Sequence, residues 1–208
     1  MAEADRRIIP ERLQKIFLKI LSPLIHLLTK LQVSPNAITA AGLFITILAA
    51  GAFMAGYIRF GGILVLLGGL CDTFDGSIAR STGKTTRYGA FFDSVIDRYS
   101  ELVMFFGIAA HFIWIKDYLT AIVLFFALCG SIMVSYCRAR AESLGFDAKV
   151  GLMQRPERII LLGFSALIHV AVLKIAIWLI AILSNLTALQ RIRQVYRQDA
   201  NQKRNCLK

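Results

Sequence analysis

The chain has 208 residues, of which 57% are hydrophobic and 18% are charged, whereas soluble domains are about 45–50% apolar and about 25% charged. This composition disfavours a soluble globular protein, and the 14 Phe, 6 Tyr and 2 Trp exclude a disordered one. On such an apolar chain, the formal net charge of +11 favours contact with anionic lipid headgroups and phosphorylated substrates over contact with nucleic acid, so we predict a small integral membrane protein of one domain.

The first predicted element is an amphipathic helix over residues 8–31. Apolar side chains recur there at steps of three and four residues, and polar side chains occupy the opposite face. The apolar positions are Leu13, Ile16, Phe17, Ile20, Leu21, Leu24, Leu28 and Leu31, and the polar ones are Arg12, Lys15, Lys19 and His26. A helix of this kind lies in the headgroup region of the cytoplasmic leaflet. The alternative is a helix that packs only against protein.

Six apolar stretches follow, each close to the length of about 20 residues that a helix needs to cross the hydrocarbon core. They cover residues 36–57, 60–80, 88–115, 118–140, 157–173 and 175–194. Because a chain in lipid must satisfy its own backbone hydrogen bonds, these stretches predict an all-α bundle of six transmembrane helices over residues 36–194. A tight turn is predicted at Lys174, since one helix across the last two stretches would be too long for a bilayer. Residues 195–208 would then form a basic cytoplasmic tail.

The basic residues support this topology independently. With six spans and both termini on the same side, all but three of the 24 Lys and Arg residues fall on that side. The exceptions are Arg59, Lys116 and Lys174. Positive residues mark the cytoplasmic side of a membrane protein. We therefore predict a protein of the plasma or inner membrane, with both termini and the active site facing the cytoplasm.

Two aspartates lie near the cytoplasmic end of the second span. Asp72 and Asp75 are followed by Gly76, Ala79 and Arg80. On a helix these five residues share one face, which carries two carboxylates, then two small residues, then an arginine. The small residues leave room for a flat or bulky group against the helix, and the guanidinium is a bidentate donor to phosphate.

The third span carries a matching face, in which Gly89, Asp93 and Asp97 follow one another at steps of four residues. If the two helices face each other, four carboxylates come together, and protonation or divalent cations must relieve their repulsion. Hard oxygen ligands in this number favour Mg²⁺ or Mn²⁺ over zinc. The alternative is that each aspartate is a helix-end charge paired with a nearby basic residue, but the joint spacing favours a site.

The residues from Asp72 to Asp97 form the pattern D-x-x-D-G-x-x-A-R-x(8)-G-x-x-x-D-x-x-x-D. This pattern resembles, at every fixed position, the signature of the CDP-alcohol phosphotransferase family of phospholipid synthases. The segment Pro35-Asn36-Ala37-Ile38-Thr39 is similar to the family's N-terminal nucleotide-binding segment. The resemblance implies an enzyme that transfers the phosphatidyl group from CDP-diacylglycerol to an alcohol and releases CMP.

The same resemblance implies roles for individual residues. Asp72, Asp75 and Asp93 would hold two metal ions, Mg²⁺ or Mn²⁺, and Asp97 would accept the proton of the acceptor's hydroxyl while standing close to a metal. The CDP moiety would be held by Gly76, Ala79, Arg80 and Thr86, together with Asn36, Ala37, Ile38 and Thr39. The family also implies a homodimer.

Arginines are concentrated at the cytoplasmic ends of the later spans, among them Arg138, Arg155 and Arg191. Planar guanidinium groups bind phosphate oxygens in pairs, so this cluster favours an acceptor that itself carries a phosphate. The segments are most similar to phosphatidylinositol-phosphate synthases, which use inositol 1-phosphate, although Arg138 stands where those enzymes often have Lys. The resemblance implies that the three arginines bind the acceptor's phosphate. Two further arginines would pair with neighbouring glutamates, Arg140 with Glu142 and Arg158 with Glu157.

Other acceptors and other functions compete with this hypothesis. Glycerol 3-phosphate, which would make the enzyme a phosphatidylglycerol-phosphate synthase, is the next candidate, followed by serine, free inositol and an archaeal ether-lipid equivalent. The arginines have a simpler explanation as a positive-inside signal in contact with anionic lipid. A cation or proton transporter with intramembrane aspartates is the main hypothesis of another class. Against it, the aspartates cluster on one side of the membrane and Gly76, Ala79 and Arg80 would have no role.

Overall fold

A computed structural model describes residues 11–81, 83 and 85–206, and the side chains of residues 19–81, 83 and 85–204. This part of the chain is all-α and contains no strand, as predicted. Its helices are α1 (Glu11–Lys30), α2 (Pro35–Met54), α3 (Ile58–Ser81), α4 (Arg87–Trp114), α5 (Tyr118–Ser143), α6 (Arg155–Ile168) and α7 (Val170–Cys206). Residues 8–10 of the predicted surface helix and residues 207–208 of the predicted tail lie outside the described residues.

Within this part of the chain, α2, α3, α5 and α7 are long and apolar enough to cross a membrane. The chain is therefore a membrane protein whose described part is helical throughout its regular elements. The other two predicted spans correspond to α4 and α6. α4 has 28 residues, but Asp93, Asp97 and Glu101 place charges in and next to its first half. α6 has 14 residues, about 21 Å of helix, which is shorter than a hydrocarbon core of about 30 Å. A bundle of six crossing helices stays a prediction.

The described side chains of α1 fall into two apolar sets. Leu21, Ile25 and Leu28 pack against the small cluster that contains Phe74 and Ile78 of α3. Another set is exposed and comprises Ile20, Leu24 and Leu27. The helix thus packs against protein on one side and leaves apolar surface uncovered on another. Exposed apolar surface of this kind suits a helix that lies at the membrane interface, and that location stays a prediction.

The boundary between the last two helices differs from the predicted one. The turn was expected at Lys174, but α6 ends at Ile168, and His169 alone has an extended backbone before α7 begins. The His169 Nδ1 atom accepts a hydrogen bond from the backbone N–H of Ala171, which caps the start of α7. Lys174 lies inside α7 because its charge is neutralised there: its Nζ atom is 2.5 Å from Asp117 Oδ2 in the loop before α5.

The last helix continues well beyond the predicted span. α7 runs without interruption to Cys206, so the described residues of the predicted tail extend the same helix. Its extension contacts the loop between α5 and α6: Gln194 and Gln198 both donate hydrogen bonds to the backbone carbonyl of Asp147. The extension therefore has a structural partner, which a separate tail would lack.

Close packing through small residues brings together the helices that carry the aspartates. α2 packs against both α3 and α4, and α3 packs against α6. Gly107 of α4 lies directly against the backbone of Ala50. A Cβ atom on Gly62 of α3 would lie 2.8 Å from the carbonyl oxygen of Gly163 in α6, so only glycine fits there. Contacts between small residues are the usual means of joining helices in membranes, and here they hold α4 against α2 and α6 against α3.

Candidate active site

The first aspartate pair lies near the end of α3, where α2 begins. Asp75 is only 4% exposed, and its Oδ2 atom accepts a hydrogen bond of 2.6 Å from Thr39 Oγ1. α2 starts beside it because Ser34 caps the helix by accepting a hydrogen bond from the Ala37 N–H, and Pro35 occupies the first turn, where a missing N–H costs nothing. The structure therefore uses Thr39, a predicted CDP contact, to orient a predicted metal ligand.

The second aspartate pair faces the first across an arginine. The Arg155 Nη1 atom, from the start of α6, is 2.6 Å from Asp72 Oδ2 of α3 and 2.6 Å from Asp97 Oδ1 of α4. Asp93 lies one turn before Asp97 and is close enough to act electrostatically on Asp72 and Asp75. The four predicted aspartates are thus gathered at the meeting point of three helices. The positive charge of Arg155 lies between the two halves of the set.

One carboxylate oxygen of Asp97 lacks a hydrogen-bond partner in the described part of the chain. Asp97 Oδ1 is buried and close to Arg155, but the angles do not make a hydrogen bond, so it has no hydrogen-bond partner among the described residues. The other oxygen, Oδ2, is 3.3 Å from Arg98 Nη1. A buried carboxylate oxygen with spare lone pairs is suited to a cation or to accepting a proton.

The aspartate set fits a divalent cation by its chemistry. In the described part of the chain, no three acidic, His or Cys side chains are close enough to bind one ion in their present positions. However, Asp72 and Asp97 already approach the same guanidinium nitrogen at 2.6 Å each, which shows that the pair accommodates a shared positive centre. All the available donors are hard carboxylate oxygens, which prefer Mg²⁺ or Mn²⁺.

The residues predicted to hold CDP lie at the rim of the aspartate cluster. The Arg80 guanidinium lies over Gly76, where an added Cβ would be 3.3 Å from Nη1, and Arg80 Nη2 is 3.4 Å from Ser77 Oγ. Thr86 caps α4 by accepting a hydrogen bond of 2.9 Å from the Gly89 N–H. Asn36, another CDP candidate, lies beside the start of α4, since its Oδ1 atom would lie 3.4 Å from a Cβ on Gly89. Ala37 is exposed, Ile38 is buried and Ala79 is half-buried.

The three arginines predicted to bind the acceptor's phosphate differ in their surroundings. Arg155 lies at the aspartates, as described above. Arg191 is 2% exposed and donates hydrogen bonds to the carbonyl oxygens of Val150, at 2.9 Å, and Val134, at 2.5 Å. Arg138 is more open and lies close enough to Arg191 to repel it electrostatically. The structure therefore forms two basic groups, one at the aspartates and one between α5 and α7.

The partners predicted for Arg140 and Arg158 differ from those in the structure, so both predictions are wrong. Glu142 pairs with Arg138 at 2.9 Å and not with Arg140, because residues four apart share a helix face whereas residues two apart do not. Arg158 pairs with Glu101 of α4 at 2.6 Å. Glu101 was not among the predicted site residues, although it continues the four-residue series of Asp93 and Asp97 by one more helical turn.

A polar stripe on α7 holds the loop that leads into α6. Thr187, Arg191, Gln194 and Gln198 recur at steps of four, three and four residues and so share one face of the helix. Their hydrogen bonds reach the backbone of residues 147–153: Thr187 Oγ1 accepts from the Met153 N–H, and the other three donate to carbonyl oxygens. The loop is thereby fixed immediately before Arg155.

Comparison with known proteins relates this arrangement to a described family. The sequence profile of the CDP-alcohol phosphatidyltransferase family matches residues 32–189. A relative named archaetidylinositol phosphate synthase, from Pyrococcus horikoshii, is 39% identical over 184 residues, which cover 86% of this chain and 94% of the relative. A relative named phosphatidylinositol phosphate synthase, from Streptomyces avermitilis, is 34% identical over 197 residues, which cover 88% of this chain and 81% of the relative.

Solved structures are also similar to most of the chain. The crystal structure of Mycobacterium tuberculosis phosphatidylinositol phosphate synthase with CDP-DAG bound matches with a TM-score of 0.77 at 30% identity, covering 86% of this chain and 94% of that one. The same enzyme in complex with manganese and citrate matches with a TM-score of 0.78 at 30% identity, covering 84% and 88% of the two chains.

Proposed function

The chain belongs to the CDP-alcohol phosphatidyltransferase family, and on that basis we propose that it transfers the phosphatidyl group of CDP-diacylglycerol to inositol 1-phosphate and releases CMP. Membership of the family makes the protein an enzyme of phospholipid synthesis and rules out the transporter hypothesis. The named relatives make inositol phosphate lipids of two kinds, phosphatidyl and archaetidyl. Their names agree on the inositol phosphate product and differ in the lipid.

One observation carries the choice of a phosphorylated acceptor. Arg155 Nη1 lies 2.6 Å from both Asp72 and Asp97, so a guanidinium group is already present where the acceptor's hydroxyl must meet the base. A neutral alcohol has no need of a cation at that point. A phosphate on the acceptor gives Arg155 a planar bidentate partner and orients the neighbouring hydroxyl towards Asp97.

The proposed reaction follows from these positions. The acceptor's hydroxyl oxygen attacks the phosphorus attached to the lipid, and the bond from that phosphorus to the CMP oxygen breaks. Asp97 accepts the hydroxyl proton through its Oδ1 atom, which has no hydrogen-bond partner among the described residues. Bound divalent cations, two per site as the family resemblance implies, would neutralise the pyrophosphate and stabilise the leaving CMP. Asp72, Asp75 and Asp93, with Asp97 nearby, would hold them, and the Thr39 hydroxyl keeps Asp75 oriented for this role.

The CDP moiety would lie on the rim formed by α2, α3 and the start of α4. The small side chains of Gly76 and Ala79 would leave space for the nucleotide against α3. Arg80 is exposed and would turn from Ser77 towards the pyrophosphate. The described start of α2, with Asn36 and Thr39, closes the opposite side. This places the nucleotide on one side of the aspartates and Arg155 on the other.

The remaining parts of the proposal concern assembly and orientation. We propose a homodimer, as in the family, and a cytoplasmic active site with both termini on that side, because Lys and Arg are concentrated there in the predicted topology. Exposed aromatic side chains on the outer faces of α4 and α5 are available to a partner subunit or to lipid, namely Phe106, Trp114, Phe125 and Phe126.

The test is CMP release by the purified protein in detergent with CDP-diacylglycerol and Mg²⁺ or Mn²⁺. Inositol 1-phosphate, glycerol 3-phosphate, free inositol and serine are offered in separate reactions, and the ether-linked CDP-lipid is tested as the donor in a parallel series. The Asp97→Asn variant is the control for contaminating activity. We expect release with inositol 1-phosphate alone. Release with glycerol 3-phosphate instead would overturn the acceptor assignment.

A further inference from the structure

A second ion pair joins α4 to α6 one helical turn beyond the aspartate site. Glu101 follows Asp97 by four residues on α4, and Arg158 follows Arg155 by three residues on α6. Residues at these steps share one helix face. The two helices are therefore linked by two successive contacts, Asp97 with Arg155 and Glu101 with Arg158.

The inner pair is buried and has bidentate geometry. Arg158 Nε donates to Glu101 Oε1 at 2.6 Å, and Arg158 Nη2 donates to Glu101 Oε2 at 3.1 Å. The Arg158 side chain is 0% exposed and that of Glu101 is 4% exposed. Burying two charges is costly, and apolar side chains of similar volume would often hold helices together equally well. Stability alone therefore does not explain this pair, whereas two parallel hydrogen bonds do fix the orientation of one helix against the other.

Arg158 also ties the start of α6 to the rest of the fold. Its Nη1 atom donates to the carbonyl oxygen of Met153 at 3.0 Å, and the Met153 N–H donates to Thr187 Oγ1 of α7 at 3.2 Å. One side chain thus connects α4 and the loop before α6, and the loop in turn contacts α7. The position of Arg155, which lies between Met153 and Arg158 in the chain, follows from these contacts.

Arg155 itself has few contacts that would hold it in place. Its Nη1 atom approaches Asp72 and Asp97, but its buried Nε atom has no hydrogen-bond partner in the described residues. A cavity of about 10 Å³ is lined by both Arg155 and Glu101, together with Asp72 and Ser100 among others. Glu101 attracts Arg155 electrostatically. The backbone position of Arg155 must therefore be determined by contacts of neighbouring residues in α6.

We propose that Glu101 and Arg158 are positioning residues, whose pair sets the rotation of α6 against α4 and so places Arg155 beside Asp97 to receive the acceptor's phosphate. This inference rests on the function proposed above. In this proposal, neither residue contacts the substrate directly. Their effect is transmitted to the reaction through Arg155, which makes it measurable as a change in acceptor recognition.

The first experiment compares Glu101→Gln and Arg158→Lys with the wild type. Glu101→Gln keeps the shape of the side chain and removes its charge, and Arg158→Lys keeps the charge and removes the planar fork. We expect the KM for inositol 1-phosphate to rise about tenfold, equivalent to about 1.4 kcal/mol, while the KM for CDP-diacylglycerol changes less than about twofold. Asp117→Asn is the matched control, since it removes an interhelical ion pair at the other end of the bundle and should change neither KM.

The second experiment asks whether the effect passes through Arg155. In a double-mutant cycle, the wild type, Glu101→Gln, Arg155→Ala and the double variant with both changes are compared. Coupled residues give non-additive effects, so Glu101→Gln should add little to the KM for inositol 1-phosphate once Arg155 is absent. Additive effects would overturn the proposal, as would equal changes in the two KM values for the single variants.

A third variant keeps the test decisive if the single substitutions prevent folding. The double substitution Glu101→Leu with Arg158→Met replaces the pair by apolar side chains of similar size, which should fold with a Tm equal to or above that of the wild type. We expect this folded protein to show the raised KM for inositol 1-phosphate, and a wild-type KM would refute the positioning role. If the wild type uses glycerol 3-phosphate instead, the acceptor assignment fails, and the same cycle run with glycerol 3-phosphate decides the role of the pair separately.

Discussion

Replacing Arg155 by Ala tests the acceptor site most directly. The side chain places one guanidinium nitrogen 2.6 Å from each of two carboxylates, so a phosphate bound there would receive charged hydrogen bonds from a donor that is already oriented. A hydrogen bond to a charged group contributes about 1.5–3 kcal/mol, which corresponds to about a 10- to 150-fold change in affinity. We expect the KM for inositol 1-phosphate to rise by that factor and the KM for CDP-diacylglycerol to stay within about threefold.

The assay is steady-state CMP release at saturating metal, because Arg155 also neutralises Asp72 and Asp97. Arg155→Lys separates charge from shape and should fall between the wild type and Arg155→Ala. Arg140→Ala is the matched control, since this exposed arginine of the same basic region contacts Ser143 only weakly, at 3.5 Å. Equal increases in the two KM values for Arg155→Ala would show that this arginine does not recognise the acceptor.

Three further predictions follow from the site and from the opposite end of the bundle. Asp97→Asn should abolish turnover while CDP-diacylglycerol binding and the Tm stay nearly unchanged, and full activity would remove the proposed base. Thr39→Val should lower the free energy of unfolding by about 1–3 kcal/mol, because buried Asp75 loses a hydrogen-bond donor, and should raise the metal concentration needed for half-maximal activity; an unchanged metal titration would contradict the orienting role. Hydrogen bonding from Lys174 lowers the pKa of Asp117 below its ordinary 3.8, so this pair stabilises the protein above that pH and the contribution is lost as the pH falls through the folded-state pKa. The Tm difference between the wild type and Lys174→Met should therefore shrink between pH 7 and pH 3.

The sequence located the helices well and their boundaries less well. Apolar stretches predicted the positions of α2 to α7 because lipid-facing and core-facing side chains must both be apolar. The break between α6 and α7 was placed at Lys174, the only charge in the stretch, but it lies at His169. A charge marks a boundary only when it lacks a partner, and Lys174 has one in Asp117, 57 residues away in the sequence.

The grouping of the aspartates could be predicted because it depends on local spacing, whereas the ion pairs between helices could not, because they join residues far apart in the sequence. The spacing of Asp72, Asp75, Asp93 and Asp97 is local, and the helical repeat alone puts each pair on one face. The pairing of Arg158 with Glu101 joins residues 57 positions apart, and no local rule connects them. Proximity in sequence favoured Glu157 as the partner, and the packing of α6 against the bundle decided otherwise.

The sequence by itself determined an all-α membrane protein and its family, and it predicted four aspartates that the structure brings together, because composition and helical periodicity act over a few residues at a time. Only the tertiary structure decided which arginine faces the aspartates, which one is held by backbone carbonyls and which one joins α4 to α6. In the sequence, one arginine cannot be told from another. Their roles differ through their burial and through the partners that helix packing brings to them.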